Sequence, residues 1–319
     1  MQQLIKIGTR GSPLALAQAH DVKAKLLAAH PDLLPDSVEI VVIKTTGDRI
    51  LDRHLMNAGG KGLFTKELEE ALFDGSIDCA VHSSKDMPTS LPEGLELSVF
   101  LPREDPRDVF ISSKFTQFSD LPKGAVLGTA SLRRRALALR LRPDLQVVIF
   151  RGNVQSRLRK LQDGEADATF LAMAGLNRLG MQSSATEKLS LEEFLPAPAQ
   201  GAVTVEIRTG DTEMAGRLQP LHCADTALAV TAERAFLAAL DGSCRTPIAA
   251  YASLQGDELF LHAALLSLDG KTVFERRSAC SVSLSLAAEM GHKVGLDIKT
   301  EAGQTFFDIL ATQVQAEIE

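Results

Sequence analysis

Strand-like and helix-period segments alternate along the first 180 residues, which restricts the chain to a layered α/β fold. LIKIG at 4–8 reads as a strand, and Ser12 with Pro13 opens a helix through a hydroxyl cap and a proline at its first position. EIVVIKTT (39–46) is a second strand, TKELEEALFDG (65–75) a helix stopped by Gly75, and DCAVHS (78–83) a third strand. A second set follows: the strand AVLGTA (125–130), the helix LRRRALALRLR (132–142), the strand QVVIF (146–150), the helix VQSRLRKLQDG (154–164) and the strand ATFLAMA (168–174). Such alternation predicts parallel sheets. IGTRGSPLALA and LGTASLRRRALA begin the two sets alike, a weak echo of one duplicated unit.

Proline-flanked LPREDP (101–106) and LPAPAQG (195–201) read as crossings between two lobes of a hinged, cleft-bearing domain. The predicted division is 1–101 with 198–219 for the first lobe, 102–197 for the second, and 220–319 for a smaller α+β domain. In that last part a helix over 225–240 precedes strands meeting at QGDE and LDGK, then two helical stretches. A length of 319 residues accommodates three such domains.

No apolar stretch approaches the ~20 residues of a membrane span, and the N-terminus lacks the pattern of a signal peptide. Cys79, Cys223, Cys244 and Cys280 are scattered without a C-x-x-C pair, and the seven histidines are dispersed, so a cytoplasmic protein without a metal site is expected. Net charge is −7, which disfavours nucleic acid and anionic membranes as partners. Yet Arg133, Arg134, Arg135, Arg140, Arg142, Arg151, Arg157, Arg159 and Arg178 all fall between Gly128 and Gly180. An acidic chain that concentrates arginine in this way points to an anionic ligand.

In open α/β sheets ligands bind beyond the carboxyl ends of the strands. The strands here end in Thr9-Arg10 with Ser12 behind, in Ser83, Ser84, Lys85 and Asp86, in Ser131, Arg133 and Arg134, in Arg151, and in Arg178. Arg133 and Arg134 occupy the first helical turn, where the macrodipole disfavours a cation by roughly 0.3–1 kcal/mol. They are either ligands of an anion or part of a solvated basic face. Arg135, Arg140 and Arg142 are expected to face water. Lys61 lies in a Gly-rich loop that either serves a cleft or is plain surface. Asp86 either pairs with Lys85 or does acid–base work. Cys79, inside an apolar strand, is expected in the core.

Taken in order, several stretches resemble the porphobilinogen deaminase family: TRGSPLALAQ, GGKGLFTKELE, AVHSSKDMPT, REDPRD, GTASLRRRA, FRGNVQSRL, LAMAGLNRLG, LPAPAQGAV, TAERAFL and GSCRTPIAAYA. The resemblance implies three α/β domains, the first two like a two-lobed type II periplasmic binding protein. It implies a transferase of tetrapyrrole and haem biosynthesis. Four porphobilinogen molecules would be joined, with loss of ammonia, to a covalent dipyrromethane, and hydroxymethylbilane would then be released by hydrolysis. By the same resemblance Cys244 carries the cofactor through a thioether. Lys85, Asp86, Ser131, Arg133 and Arg134 would bind it. Arg10, Ser12, Gln18, Lys61, Arg151, Arg157, Arg178 and Gln200 would bind substrate, and Asp86 would be the catalytic carboxylate. A monomer is implied. The sequence departs from relatives at Asn57, where many have lysine, and at Ala199 and Ser243, where some have glycine. A solute-binding protein would leave the third domain and Cys244 idle. A nucleic-acid binder is opposed by acidity and by the lack of Trp.

Overall fold

The computed structural model describes residues 4–49, 64–242 and 246–316. Lys61, Cys244, Asn57 and Ser243 lie outside the described residues. The chain forms two compact units, 1–104 with 202–227, and 105–201 with 228–319.

The first unit is built on a five-stranded sheet of β1 (Ile5–Arg10), β2 (Val38–Ile43), β3 (Cys79–Ser83), β4 (Leu95–Phe100) and β10 (Val203–Arg208), in the order β2-β1-β3-β10-β4. Strand β1 runs parallel to β2 and β3, with Ile5 opposite Val38 and Ile7 opposite Cys79, whereas β10 is antiparallel to both its neighbours. Helix α1 (Pro13–Ala29) starts as its sequence dictates: Ser12 accepts a hydrogen bond from the Ala15 N–H at 3.3 Å, and Pro13 follows it. It buries Gln18, Ala19, Val22 and Leu26, a three-to-four-residue spacing that lays one stripe on the sheet. Val22 and Leu26 meet Ile7, Cys79, Val99 and Val205 in one apolar cluster. Each such fully buried aliphatic side chain contributes about 1.5–3 kcal/mol. A single turn, α2 (Thr46–Arg49), and the helix α3 (Lys66–Phe73) complete the first part, and Gly75 just beyond α3 takes the left-handed φ of 75° that stops it.

The second unit repeats the plan with β5 (Asp108–Ile111), β6 (Val126–Gly128), β7 (Gln146–Val148), β8 (Ala168–Ala172) and β9 (Glu187–Lys188), ordered β7-β6-β8-β5-β9. Here β6 is parallel to β7 and β8, and β5 is antiparallel to β8 and β9. Its helices are α4 (Leu132–Leu141), α5 (Val154–Gln162) and α6 (Met173–Arg178). The echo between the two sequence openings therefore marks equivalent strand–helix pairs, β1–α1 and β6–α4.

Both sheets are mixed, where alternation alone predicts parallel ones. The reason is the crossings. The segment after each one supplies the strand in fourth position, β5 after 101–106 and β10 after 195–201, and each arrives antiparallel to the strand beside it.

After α7 (Thr212–Leu218) and the long helix α8 (Ala224–Ala239), the chain makes an antiparallel meander of β11 (Ile248–Gln255), β12 (Glu258–Leu266) and β13 (Val273–Ser281). The closing helix α9 (Leu284–Ala316) is interrupted at Gly303, so it is the two helical stretches expected. Ala249, Ala264 and Leu266 of the meander share one apolar cluster with Phe110, Phe170 and Phe194. At the turn between β12 and β13, Gly270 adopts a φ of 71°, and a Cβ there would stand 2.3 Å from the Ala136 carbonyl oxygen of α4. Glycine is required at that contact.

Candidate active site

In the first unit the ends of β1 and β3 and the start of α1 enclose a cavity lined by Arg10, Ser12, Gln18, Phe64, Thr65, His82, Ser83 and Asp86, among others. Gln18 is buried although polar, and its Nε2 donates to Ser83 Oγ at 2.9 Å, tying α1 to β3. The Arg10 guanidinium lies 4.0 Å from the centre of the Phe64 ring, a cation–π contact that restrains its direction. Asp86 sits in a tight turn, Ser84–Asp86, at the end of β3 and is exposed, as is Lys85. Ser84 beneath them is buried, and its Oγ has no hydrogen-bond partner among the described residues. Four predicted site residues, Arg10, Ser12, Gln18 and Asp86, thus share one cavity. His82, which no motif argument singled out, lines it too, with Nε2 3.0 Å from Oε2 of the buried Glu206.

In the second unit the arrangement is different. Ser131 caps α4 by accepting from the Arg134 N–H at 3.3 Å, so Arg133 and Arg134 do stand in its first turn. Neither is solvated. Arg133 is 4% and Arg134 5% exposed, and both turn onto Asp108, itself 0% exposed. Arg133 Nη1 donates to Asp108 Oδ2 at 2.6 Å and to the Leu195 carbonyl at 2.7 Å. Arg134 Nη2 and Nε donate to Asp108 Oδ1 at 2.7 and 3.1 Å, and its Nη1 to the Phe170 carbonyl at 2.8 Å. Gln200 completes the ring, its Nε2 donating to Asp108 Oδ1 at 3.0 Å and to the Pro106 carbonyl at 2.8 Å. Burial opposes ionisation of Asp108, but the two guanidiniums outweigh it and hold the carboxyl well below the usual range.

Two guanidiniums against one carboxylate leave an excess positive charge in a desolvated place. Arg133 shows the strain of this: burial pushes its guanidinium down from its ordinary value, and its buried Nε finds no partner among the described residues. Arg157 on α5 adds to the excess. Burial, followed by repulsion from Arg134, lowers it to about 10, so it remains charged at neutral pH. Its Nε donates to the Gly152 carbonyl at 2.7 Å. An over-charged, under-bonded arginine cluster of this kind is suited to receive a carboxylate. Arg178, at the end of α6, donates from Nη2 to the Gly201 carbonyl at 2.7 Å, and Arg151 is half-buried beyond β7.

Arg140 is exposed, as expected, but Arg142 is not free in water. It is half-buried, held in a two-pronged pair by Asp144 at 2.8 Å on each side, and donates to the Leu121 carbonyl. Cys79 is fully buried and its thiol is pushed far up by burial, which makes it inert core. Asp108 is the residue that sequence reasoning missed. It closes REDPRD, a motif quoted for its resemblance alone, and nothing in its neighbours foretells two arginines 25 and 26 residues downstream. Among the described residues no group of three or more His, Cys, Asp or Glu could hold a metal ion, and no helix is long and apolar enough to cross a membrane.

Comparison with known proteins gives a consistent picture. Residues 5–216 match the family "Porphobilinogen deaminase, dipyromethane cofactor binding domain", and residues 227–300 match "Porphobilinogen deaminase, C-terminal domain". The porphobilinogen deaminase of Paracoccus denitrificans is 55% identical over 307 residues, 96% of this chain and 97% of that protein. The chloroplastic porphobilinogen deaminase of Oryza sativa subsp. japonica is 54% identical over 309 residues, 96% of this chain and 86% of that protein. Among solved structures, a nutrient-binding protein from Burkholderia cenocepacia bound to methionine aligns with a TM-score of 0.42 at 18% identity, over 68% of this chain and 90% of that one.

Proposed function

This chain belongs to the porphobilinogen deaminase family, and from that premise we propose how its two sets of polar residues divide the work. The enzyme is a hydroxymethylbilane synthase of tetrapyrrole biosynthesis, with a dipyrromethane cofactor-binding domain. The bound dipyrromethane supplies the free pyrrole end to which porphobilinogen units are joined.

In this reading Cys244 holds the cofactor as a thioether. Ser131, Arg133 and Arg134 receive its acidic side chains, with Lys85 and Asp86 as further contacts. The observation that carries the assignment is the unsatisfied positive charge around Asp108: Arg133 Nε without a partner among the described residues, and Arg157 lowered by burial and then by repulsion from Arg134. Arg10, Ser12, Gln18, Lys61, Arg151, Arg157, Arg178 and Gln200 bind the acetate and propionate groups of substrate. Because Asp108 and Gln200 orient both arginines before any ligand arrives, the cluster binds without paying to order them.

Asp86 is the catalytic carboxylate. It accepts hydrogen bonds from pyrrole N–H groups and stabilises the positive charge left on a substrate ring when ammonia departs, a charge that arginines would repel. It then takes up the proton lost as each carbon–carbon bond is completed. The Phe64 contact keeps Arg10 directed within that cavity. The enzyme works as a monomer in the cytoplasm in this reading, although the rice relative bears a chloroplast designation.

Intact mass spectrometry tests the cofactor assignment. The purified protein is expected to be heavier than its sequence by one two-ring adduct, and Cys244→Ser to lack it. Normal loading of Cys244→Ser would contradict the attachment site.

A further inference from the structure

Residues 195–201 form the second crossing, and Ala199 within it is one of two non-glycine residues with a positive φ among the described residues, at 62°. A side chain rarely adopts that conformation, so something must hold it. Ala199 is 1% exposed, and its N–H donates to Oε2 of Glu233 at 2.5 Å. Glu233 lies on α8 and is itself 0% exposed. Its other oxygen, Oε1, accepts the Ala252 N–H of β11 at 2.7 Å. One buried carboxylate therefore bridges the crossing and the strand that follows Cys244 in the sequence. A second backbone bond, from the Ala250 N–H to the Pro196 carbonyl at 3.0 Å, runs between the same two segments. The residue after Ala199 is Gln200, whose amide grips Asp108 and through it Arg133 and Arg134.

We propose that Glu233 is a positioning residue: its carboxylate holds Ala199 in the left-handed conformation that sets Gln200 on Asp108. In doing so it registers β11 against the arginine cluster. A buried anion is costly to desolvate, and two backbone N–H groups from distant segments help to offset that cost. Glutamine cannot substitute, since it has one acceptor oxygen and would turn an NH2 group towards one of the two donors.

The test is a double-mutant cycle on the holoenzyme, with Glu233→Gln, Ala199→Gly and the double variant. Glycine adopts a positive φ without cost, so Ala199→Gly relieves the conformation that Glu233 is inferred to enforce. Glu233→Gln is expected to accelerate hydrogen exchange in peptides covering 196–203 and to raise the KM for porphobilinogen on the order of tenfold, with a smaller fall in kcat. Ala199→Gly alone is expected to behave as the parent and, in the double variant, to restore most of both losses. A purely structural role for Glu233 would give equal losses with Ala or Gly at 199, and that outcome overturns the proposal. So does unchanged exchange over 196–203 in Glu233→Gln. If Glu233→Gln does not fold, a folded double variant supports the inference and an unfolded one refutes it. The kinetic arm rests on Gln200 serving the ligand site. The exchange arm does not, so changed exchange with unchanged KM would count against that site reading alone.

Discussion

The two sheets share one strand order and one strand–helix opening, yet the carboxyl ends of their strands are built differently. At β1–α1 and β3 the predicted site residues line an open cavity, and Asp86 stands exposed on a three-residue turn. At β6–α4 the equivalent helix start sends Arg133 and Arg134 into the interior, onto a carboxylate that water does not reach. A group that acts on a changing substrate needs access and freedom to exchange protons. A group that holds a permanent, multiply charged ligand benefits from rigidity and low dielectric. The cost is that residues of the second kind also hold the fold together.

The largest effect that would sharpen this contrast is expected from Asp108→Asn. Removing the countercharge leaves two buried guanidiniums facing each other, a loss of about 3–5 kcal/mol. Denaturant titration should show it, and a change below 1 kcal/mol would mean that the network is not structural. The same carboxyl gives a pH signature. Its folded value is depressed, so its stabilisation is full above the unfolded value near ~3.9 and is lost as pH falls through the lower folded value. Acid titrations should therefore show a limb of falling stability below about pH 4 that is reduced in Asp108→Asn.

Asp86→Asn comes next, and its effect falls on rate. Turnover should drop roughly a hundredfold or more, while the midpoint of unfolding stays within about 0.5 kcal/mol of the parent because the side chain is exposed. Near-normal turnover in a loaded Asp86→Asn enzyme would remove the catalytic role. Smallest of these is Arg10→Leu, which loses a cavity cation and its contact with Phe64. It should weaken substrate binding by about 1–2 kcal/mol in KM, with little change in stability.

Much of this was legible beforehand, because local chemistry and tertiary structure agree. Ser12-Pro13, Gly75 and Ser131 mark the helix ends where the backbone uses them, and the turn residues QGDE and LDGK lie where the meander reverses. Arg10, Ser12, Gln18 and Asp86 converge because strand ends in an open sheet must. The fate of Arg133 and Arg134 was not legible. Spacing placed them correctly at a helix start, and the dipole argument asked for an anion, but the one supplied by the fold itself, Asp108, arrives across a sheet from a strand beside the crossing. On dipole grounds alone, removing either arginine would leave stability unharmed; because both hold Asp108, a substantial loss is expected instead. The antiparallel β5 and β10 were hidden for a related reason: their direction is set by where the crossings deliver the chain, which no short-range pattern records.

Thermal unfolding of Arg134→Leu beside Asp86→Asn tests the division most directly. The account predicts that Arg134→Leu, which strips two bonds from a buried carboxylate, loses about 3 kcal/mol or more together with cofactor loading. Asp86→Asn should unfold with the parent and fail only in turnover. Equal stability of the two variants, or the reverse order, would contradict it.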